Sequence, residues 1–572
     1  MYNKFITTEG NCCTDKNEIV NEFNKYFTNI GQNLNAKLTQ TVHDPTHYIN
    51  NNPANFFCTP TCPTEIINIV HSNNSKKSGG YDNVDPNIIQ HVIPQIANQL
   101  AHIFNSSFTM GIVPGKLKIA KVIPLYKSEN PELFTNYRPI SILPCLSKIL
   151  ERLMYNRINN FLAEYNILSN KQYGFRGNYS TYMAMIDLVD KISSNIDQKN
   201  HNIGIFLDLS KAFDTIDHNI LLKKLQCYGI RGIACEWFKS YLSDRAQYVL
   251  YNNTESEYMK ITCGVPQGSI LGPLLFIIYI NDIVNVSNIL KPILFADDTS
   301  LFHAHTHFHT LIEEVNIELQ KIAIWFNTNK LTLNVKKSNF IIFTPKGKIY
   351  NTDNAEIIIN GNKIKQVKFT KFLGIYIDEH LSWKIHINNL AKKIARNVGM
   401  LNKLKYFLPL YTMKTLYYSL ILPHLQYCVL LWSNTYTIHL NKINILQKRA
   451  IRIITKSQYA SHTDPLFSKL KLLKLIDIYK HQLGIFMYKS VNDQLPDNLT
   501  SMLKLTENVH NHNLRNFNGF YIQNIRTNNR KFTINYSGPV FWNTLPQHIR
   551  KLRTVKQLKI KLNELLLMGY LS

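Results

Sequence analysis

The pattern of hydrophobic and polar residues predicts a mixed body followed by a helical region. Apolar residues recur every three or four positions over 146–162, which predicts an amphipathic helix, and the apolar segment 270–280 predicts another. Short apolar runs predict β-strands at 203–207, 292–295, 301–302, 339–344 and 371–377. From about Leu381 the spacing is helical, with few strand signals before Phe532. We therefore expect an α+β fold.

The distribution of charge indicates a polyanionic partner. The 572 residues are 45% apolar and 18% charged, which excludes wholesale disorder. Residues 381–572 carry 28 basic and 6 acidic side chains, so they hold +22 of the net charge of +26. Such a region binds nucleic acid or an anionic membrane. Nucleic acid is favoured and no membrane partner is expected, because 270–280 is short and 416–432 is interrupted by polar residues, whereas a spanning helix needs ~20 apolar residues.

The basic region also has the local pattern of a nucleic-acid grip. Basic residues cluster at helical spacing, as at 392–396 and 448–452, so each cluster can line one helix face. Aromatic residues that could stack on bases are interleaved with them: Tyr406, Tyr411, Tyr417, Tyr418, Trp432 and Tyr459. A solvated helical surface is the alternative interpretation.

Cysteine and histidine usage predicts an intracellular protein without a zinc site. Nine cysteines, an odd number, are scattered along the chain, as in proteins that keep reduced thiols, and the N-terminus lacks a signal-peptide core. Cys58 and Cys62 have the spacing of half a zinc site, but no second pair follows. Four histidines alternate over 303–309, where a loop or an exposed strand is favoured over a ligand cluster.

Three carboxylates form the first candidate site. Asp208 follows the apolar run 203–207, and Asp297 and Asp298 come shortly after the run 292–295. Carboxylates at the ends of neighbouring strands can hold two Mg²⁺ ions about 3.5–4 Å apart, which stabilises the attacking and leaving oxygens of phosphoryl transfer. Aspartates at such positions are also common turn residues and helix caps. These three residues alone leave both interpretations open.

Seven motifs in a fixed order favour the catalytic interpretation of these carboxylates. They are NYRPIS at 136–141, QYGFR at 172–176, IFLDLSKAFD at 205–214, GVPQGS at 264–269, FADD at 295–298, LN at 333–334 with Lys337, and FLGI at 372–375. With this set the chain resembles the reverse transcriptases of LINE-type, jockey-like non-LTR retrotransposons over about residues 114–380. LQKRA at 446–450 and FWNTLP at 541–546 look like the C-terminal region of that family.

The resemblance implies roles for the carboxylates and for one aromatic residue. Asp208 and Asp297 would bind both catalytic metal ions, with Asp298 as a supporting carboxylate. The ions would be two Mg²⁺, with Mn²⁺ as the alternative. Phe213 would lie beneath the sugar of the incoming nucleotide, where its ring excludes a ribose 2′-hydroxyl. Ordinary core packing is the other interpretation of this phenylalanine.

The resemblance also implies contacts to the incoming nucleotide. Gln267 and Gly268 would line the pocket of the nascent base pair, where glycine allows a close backbone approach. Arg176 and Arg138 would contact the triphosphate, because guanidinium groups match the geometry of phosphate oxygens. For Arg138 a surface arginine at a turn is the alternative, and for Gly268 a plain turn former.

Two further roles follow from the same resemblance. Lys337 would assist the departing pyrophosphate as a cation or an acid, although a solvated surface lysine is the alternative. The grip on the primer strand would be formed by Phe372, Leu373 and Gly374.

The resemblance implies a right-hand polymerase with four regions. We expect an N-terminal extension at 1–110, fingers and palm at 111–380, a helical thumb at 381–460 and a basic, helical RNA-binding C-terminal domain at 461–572. The first region is rich in asparagine and has only patchy apolar periodicity, and its polar stretch 72–80 reads as a loop.

The implied reaction is RNA-directed DNA synthesis from a DNA primer 3′-hydroxyl by two-metal nucleotidyl transfer. The expected partners are the element's RNA as template, nicked target DNA as primer, and dNTPs. An endonuclease in the same or another chain would be a further partner. The expected locations are a cytoplasmic ribonucleoprotein and the nucleus.

Three other interpretations were weighed against this one. Phe213 argues against a viral RNA-dependent RNA polymerase, and the C-terminal motifs argue against a group II intron maturase. A domesticated, catalytically inactive RNA-binding protein derived from such an element would be suggested by loss of a metal carboxylate, but all three are present. No endonuclease fits in 1–110, and 481–572 lacks the carboxylate cluster of an RNase H. We therefore expect the polymerase portion of a larger protein, or a truncated copy.

Overall fold

The computed structural model of the chain describes residues 4–6, 12–36, 38, 43–72, 79–345, 355–508 and 519–569. These residues form two compact units, each assembled from separate stretches. The first unit comprises Met1–Phe175, Asp208–Asn288 and Glu318–Asn334, and the second comprises Arg176–Leu207, Ile289–Ile317 and Val335–Ser572. The division into four regions that the sequence suggests stays a prediction.

The described residues contain both strands and helices, as expected for an α+β protein. The strands are β1 (Phe5–Ile6), β2 (Cys12–Cys13), β3 (Ile119–Tyr126), β4 (Tyr137–Ile142), β5 (His201–Leu207), β6 (Arg245–Tyr251), β7 (Thr254–Glu255), β8 (Met259–Ile261), β9 (Lys291–Phe295), β10 (Asp298–His305), β11 (Asn339–Phe343), β12 (Ile358–Ile359), β13 (Asn362–Lys363), β14 (Lys365–Gln366), β15 (Phe369–Phe372) and β16 (Ile375–Asp378).

The helices follow the same chain order. They are α1 (Lys16–Asn35), α2 (Pro63–Ser72), α3 (Pro86–Met110), α4 (Cys145–Glu164), α5 (Thr181–Asp197), α6 (His218–Cys227), α7 (Gly232–Leu242), α8 (Leu271–Tyr279), α9 (Phe308–Thr328), α10 (Lys384–Leu404), α11 (Leu410–Leu420), α12 (Leu422–Gln426), α13 (Val429–Trp432), α14 (Thr437–Ile454), α15 (Asp464–Leu470), α16 (Leu475–Val491), α17 (Asp497–Thr500), α18 (Asn528–Lys531), α19 (Ile534–Thr544), α20 (Gln547–Arg550) and α21 (Val555–Leu567).

The first unit contains a five-stranded sheet in the order β4-β3-β6-β7, with β8 also paired to β6. β3 runs parallel to β6, and the other pairs are antiparallel. Helix α1 begins at Asp15, whose carboxylate accepts hydrogen bonds from the backbone N–H groups two and three residues later. Its apolar face buries Phe23 in a cluster with Tyr137 and Val249 of the sheet.

A buried ion pair links three helices of the first unit. The Nζ of Lys224 lies 2.5 Å from an oxygen of Asp282, and both side chains are fully buried. Lys224 also donates to the carbonyl of Tyr279, and the indole N–H of Trp325 donates to the other oxygen of Asp282 at 2.8 Å. Burial lowers the pKa of Lys224, and the carboxylate of Asp282 opposes that shift. A buried pair of charges is tolerated when hydrogen bonds satisfy both partners, as here.

The second unit contains a sheet in the order β14-β11-β5-β10-β9. β5 lies at its centre and is antiparallel to both β10 and β11. Residues 202–207 are all buried, which explains why this strand reads as a continuous apolar run rather than an alternating one. The strands predicted at 203–207, 292–295, 301–302 and 339–344 are therefore confirmed as parts of one sheet.

The single strand predicted at 371–377 is wrong. The structure has a hairpin there, with Phe372 paired to Ile375 across a turn formed by Leu373 and Gly374. Both turn residues have positive φ, 46° and 82°, the combination that a tight two-residue hairpin turn uses. The turn is difficult to recognise in the sequence, because only the glycine interrupts the apolar run.

The helical predictions are confirmed, and one set of helices was missed. α4 corresponds to the amphipathic segment 146–162 and α8 to the apolar segment 270–280. The last strand of the described residues ends at Asp378, after which the regular elements are helices. The long helices α1 and α3 lie where the periodicity looked patchy. Residues 73–78 of the loop predicted at 72–80 lie outside the described residues.

The C-terminal helices belong to the same compact unit as the sheet around β5. The guanidinium of Arg530 on α18 pairs with the carboxylate of Asp190 on α5, and Asn535 donates to the same carboxylate at 2.6 Å. The backbone N–H of Thr527 donates to Asp197 at 2.9 Å. None of the helices in the described part of the chain is long and apolar enough to cross a membrane.

Candidate active site

The strands that lead to the candidate carboxylates are paired neighbours in the second unit. Thr299 of β10 lies opposite Leu207 of β5. Asp208 is the next residue of the chain after Leu207, and Asp298 is the residue before Thr299. Opposed residues of an antiparallel pair have Cα atoms roughly 4.5–5.5 Å apart. The register therefore places the end of β5 and the start of β10 at the same edge of the sheet, as the sequence predicts, while the site formed by the three carboxylates stays a prediction.

A tight turn carries the second carboxylate. Phe295 pairs with Asp298, so Ala296 and Asp297 form a two-residue connection between β9 and β10. Ala296 has a φ of 54°, a left-handed conformation that is uncommon for a residue with a Cβ and that matches the twist of a hairpin. Asp297 is half-buried and Asp298 is exposed. The tight turn predicted between these strands is confirmed.

The donor set has the chemistry that a hard divalent cation needs. Carboxylate oxygens suit Mg²⁺ and Mn²⁺, and Mg²⁺ at phosphoryl-transfer sites is held by one or two carboxylates together with substrate phosphates. Within the described part of the chain, no three His, Cys, Asp or Glu side chains are grouped so that they could hold a metal ion, and this includes Asp208, Asp297 and Asp298. The residue types fit such ions, and the metal site itself stays a prediction.

The LN motif supports the backbone of the first carboxylate. The N–H of Asn334 donates to the carbonyl of Asp208 at 2.8 Å, and the N–H of Ser210 donates to the carbonyl of Thr332 at 2.8 Å. These bonds lie on either side of an isolated antiparallel bridge between Leu209 and Leu333. Lys337, three residues after the motif, is exposed, and its role at the pyrophosphate stays a prediction.

Phe213 is held between two aromatic rings of the first unit. It stacks on Phe276 with a centroid distance of 4.6 Å and an interplanar angle of 26°, and it meets Phe175 edge-on at 6.1 Å. The side chain remains half-buried. It therefore packs like a core residue on one side and keeps an accessible surface on the other. Its role as a sugar gate stays a prediction.

Gln267 has a partner that sequence reasoning missed. Its Nε2 donates to both carboxylate oxygens of Asp214, at 2.8 and 2.9 Å. Burial raises the pKa of Asp214 to about 6, and the hydrogen bond from Gln267 and the charge of Lys211 oppose that shift. Asp214 ends the motif at 205–214, next to Phe213. A second carboxylate in the motif that contains Asp208 was the signal that could have drawn attention to it.

Gly268 makes a close backbone approach to β4, whereas the approach to a nascent base pair that the resemblance implies stays a prediction. Its φ is 130°, and a Cβ at this position would lie 2.4 Å from the carbonyl oxygen of Ser141 on β4. The N–H of Ser141 also donates to the carbonyl of Gln267 at 2.8 Å. Arg138, on the same strand, is exposed. The structure thus brings the motifs at 136–141 and 264–269 together, while their contact with a nucleotide stays a prediction.

Arg176 belongs to the second unit. Its guanidinium lies 4.2 Å from the ring centroid of Tyr179, a cation–π geometry that orients the side chain. Its role at the triphosphate stays a prediction.

The predicted primer grip is anchored on both sides. The buried ring of Phe372 contacts Phe206 of β5 at a centroid distance of 5.3 Å. The hydroxyl of Tyr427 donates to the carbonyl of Leu373 at 2.6 Å, and the same ring lies 3.3 Å from where a Cβ on Gly374 would be. The hairpin tip is therefore joined both to the strand that leads to Asp208 and to the helical region.

The alternating histidines lie at the other end of β10. His303 and His305 are on the strand itself. The Nε2 of His303 lies 2.7 Å from a carboxylate oxygen of Glu314 on α9. The four residues thus begin on β10, pass through the loop at His307 and end at His309 in the first turn of α9, so the loop or exposed strand favoured from the sequence is correct only in part.

Only some of the basic and aromatic side chains that the sequence predicts for nucleic-acid binding are exposed. From 381 to 463 the chain has 12 basic residues and no acidic residue. Tyr406, Tyr411 and Tyr459 are 76, 82 and 85% exposed, whereas Tyr417 and Trp432 are fully buried and unable to stack on bases. Arg452 is half-buried and donates to the carbonyl of Ser461, while its neighbours at 448–449 are exposed. The predicted helices are confirmed, but Tyr417, Trp432 and Arg452 pack within the protein instead of forming a nucleic-acid surface.

Comparison with known proteins identifies the family. Residues 127–377, which include all seven motifs, match the model described as reverse transcriptase (RNA-dependent DNA polymerase). The chain is 30% identical over 425 residues to the "Probable RNA-directed DNA polymerase from transposon BS" of Drosophila melanogaster, covering 71% of this chain and 46% of the relative.

Two more relatives from the same organism agree. The "Probable RNA-directed DNA polymerase from transposon X-element" is 27% identical over 436 residues, which covers 74% of this chain and 47% of the relative. The "RNA-directed DNA polymerase from mobile element jockey" is 28% identical over 432 residues, which covers 72% and 46%. This chain spans about half the length of these relatives. The family implies a right-hand polymerase fold and the use of divalent metal ions. Residues 127–377 of the chain therefore form a reverse transcriptase domain, and the polymerases of jockey-like non-LTR transposons are among the relatives of the chain.

Proposed function

We propose that this chain is the RNA-directed DNA polymerase of a non-LTR retrotransposon, and that it extends a DNA primer along an RNA template. The observation that carries the proposal is the register of β5 and β10, which ends two paired strands in carboxylates in a chain of this family. An endonuclease, in the same or another chain, would supply the nicked target. The proposed locations, a cytoplasmic ribonucleoprotein and the nucleus, agree with nine free thiols.

The proposed reaction is attack of the primer 3′-oxygen on the α-phosphorus of a dNTP. A bond forms between these two atoms, the bond to the β-phosphate oxygen breaks, and pyrophosphate leaves. Asp208 and Asp297 would hold two Mg²⁺ ions, with Asp298 as a neighbouring carboxylate. Ions held by these carboxylates would supply Lewis acidity that favours loss of the hydroxyl proton to water and positive charge beside the leaving pyrophosphate. The turn at Ala296 and the bond from Asn334 hold the backbone of these ligands.

Selection of the nucleotide is proposed to depend on packed side chains of the first unit. The ring of Phe213 has little freedom to move aside for a 2′-hydroxyl, because Phe276 and Phe175 contact it on two sides. Gln267 and Gly268 would contact the nascent base pair. Arg176 and Arg138 would bind the triphosphate, and Lys337 would assist departure of pyrophosphate.

Nucleic acid is proposed to bind residues 381–463, which include no acidic residue, and the hairpin tip at Leu373 and Gly374. Exposed basic residues of α10 and α14 would neutralise phosphates of template and primer. Two strongly exposed aromatic residues, Tyr406 and Phe407, lie between α10 and α11, and the ammonium of Lys405 is 4.8 Å from the ring centroid of Tyr406. Such basic and aromatic surfaces suit unpaired bases and their phosphates.

Primer extension by charge-removing variants tests the proposal. Asp208→Asn and Asp297→Asn keep the size of each side chain but remove the charge that holds a cation, so each is expected to abolish extension on an RNA template while leaving template–primer affinity nearly intact. Glu236→Gln, at an exposed carboxylate on α7, is the matched control and is expected to extend normally. Retention of more than about a tenth of the wild-type rate by either aspartate variant, ~1.4 kcal/mol, would show that the metal assignment is wrong. A wild-type protein that binds RNA but extends no primer would favour the inactive RNA-binding alternative.

A further inference from the structure

The bond between Asp214 and Gln267 determines which end of the Gln267 amide points away from the carboxylate. An ionised carboxylate only accepts hydrogen bonds, so it orients the amide with Nε2 towards Asp214 and Oε1 away from it. Without this partner an amide can rotate and exchange its donor and acceptor ends. The two residues are 53 positions apart, and the bond joins the motif at 205–214 to the motif at 264–269.

The backbone around this pair is also joined. The N–H of Val265 donates to the carbonyl of Phe213 at 2.9 Å, and the N–H of Gly264 donates to the carbonyl of Ile216 at 2.8 Å. The Cys263 Sγ donates to the carbonyl of Asp214 at 3.6 Å. Phe213 and Gln267 therefore extend from two segments that are held together.

Helix α1 lies directly on these two segments, although it is outside the residues that match the family model. A Cβ on Gly31 would lie 2.2 Å from the carbonyl oxygen of Asp214 and 2.4 Å from the Cys263 Sγ, so only glycine allows this approach. One residue later, Gln32 donates to the hydroxyl of Thr262 at 2.6 Å. The N-terminal helix thus contacts both segments within one turn.

We propose that Asp214 is a positioning residue that orients the Gln267 amide for selection of the incoming nucleotide, and that helix α1 holds this pair in place through its close approach at Gly31. The proposal rests on the proposed polymerase function and extends it to a carboxylate outside the proposed metal site and to a helix outside the matched domain. In this arrangement Gln267 presents Oε1 as a fixed acceptor for a hydroxyl or amino group of the nucleotide.

A double-mutant cycle on single-nucleotide extension tests the first part. Asp214→Leu removes both acceptors at similar volume and is expected to raise the KM for dNTP about tenfold, with kcat changed less than twofold. Asp214→Asn keeps one acceptor and is expected to raise KM about threefold, because a neutral acceptor bonds more weakly than a carboxylate. In a Gln267→Met background, which removes the amide, neither substitution is expected to change KM further.

Equal effects of Asp214→Leu in both backgrounds would overturn the positioning role, since a merely structural residue acts regardless of the amide. A fall in kcat at unchanged KM would also overturn it. Thermal unfolding of each variant shows that the compared proteins are folded. Failure of the wild-type chain to extend any primer would count against the proposed function. If the variants are active but the Asp214 and Gln267 substitutions have additive effects on KM, only this inference is overturned.

A pair of variants on α1 tests the second part. Gly31→Ala places a methyl group against the carbonyl of Asp214 and is expected to raise the KM for dNTP several-fold in the wild-type background but not in the Gln267→Met background. Asn33→Ala, an exposed position on the same helix, is the matched control and is expected to leave KM unchanged. A folded Gly31→Ala protein with the wild-type KM would show that α1 does not hold the pair.

Discussion

Replacing Phe213 by valine should weaken the exclusion of ribonucleotides. The ring is stacked on Phe276 at 4.6 Å and braced edge-on by Phe175, so it cannot turn aside without breaking an aromatic pair that contributes about 0.5–1.5 kcal/mol. Valine leaves space where the ring was and can be accommodated beside a 2′-hydroxyl. We expect relative use of rNTP to rise ten- to a hundredfold, which corresponds to about 1.4–2.7 kcal/mol of lost discrimination.

The same substitution should also destabilise the protein, and the assay must separate the two effects. Loss of a half-buried ring and its stack is expected to lower the free energy of unfolding by about 1.5–3 kcal/mol. The ratio of kcat/KM for dNTP to kcat/KM for rNTP, measured with one base on one RNA template, cancels general damage because both values come from the same enzyme. Denaturant unfolding gives the stability change independently.

Phe276→Leu is the matched control for this experiment. It removes the stacking partner from a buried position but keeps the ring of Phe213 and its edge-on contact with Phe175, so it should destabilise the protein while changing the sugar ratio less than Phe213→Val does. If Phe213→Val extends primers with an unchanged dNTP/rNTP ratio, or if both variants change the ratio equally, Phe213 is a packing residue and not a gate.

Three further predictions follow from particular contacts. Replacing the exposed Lys448 and Arg449 by glutamine should reduce the log–log salt slope of single-stranded RNA binding by about 1.4, at roughly 0.7 per phosphate contact; an unchanged slope would mean that this face is only solvated. Asp282→Asn leaves the buried Lys224 without its counter-charge and should lower the free energy of unfolding in urea by about 3–5 kcal/mol, against less than about 0.5 for Glu236→Gln; a loss below about 1 kcal/mol would contradict the role given to this pair. Tyr427→Phe removes the bond to the hairpin tip and should raise the KM for primer two- to tenfold, as about 0.5–1.5 kcal/mol implies, without changing the KM for dNTP; equal changes in both would refute a local role.

Loss of the C-terminal helices is a poorer test of RNA binding than charge removal. Arg530 and Asn535 bond to Asp190 on α5, within the same compact unit as the sheet around β5. A truncation at 460 would leave that buried carboxylate without its cationic partner, and burial already raises its pKa. Any loss of binding would then mix damaged packing with missing charge, whereas surface lysines and arginines can be neutralised one by one.

What the sequence determined by itself is local order and the chemistry at each position. A buried strand needs apolar residues on both faces, so the run at 203–207 is visible in the letters, and Asp208 marks its end. The amphipathic period of α4 is equally direct. The motifs also indicate the family, because residue types at fixed spacing can be recognised directly in the sequence.

The tertiary structure decided which distant residues meet. Nothing in local patterning pairs Asp214 with Gln267, or brings Gly31 against both of their segments, because such contacts depend on how the strands and helices pack. Exposure was decided in the same way. Tyr417 and Tyr411 look alike in a basic, aromatic stretch, yet the first is fully buried and the second is 82% exposed, since each helix turns one face to its neighbours and the other to solvent.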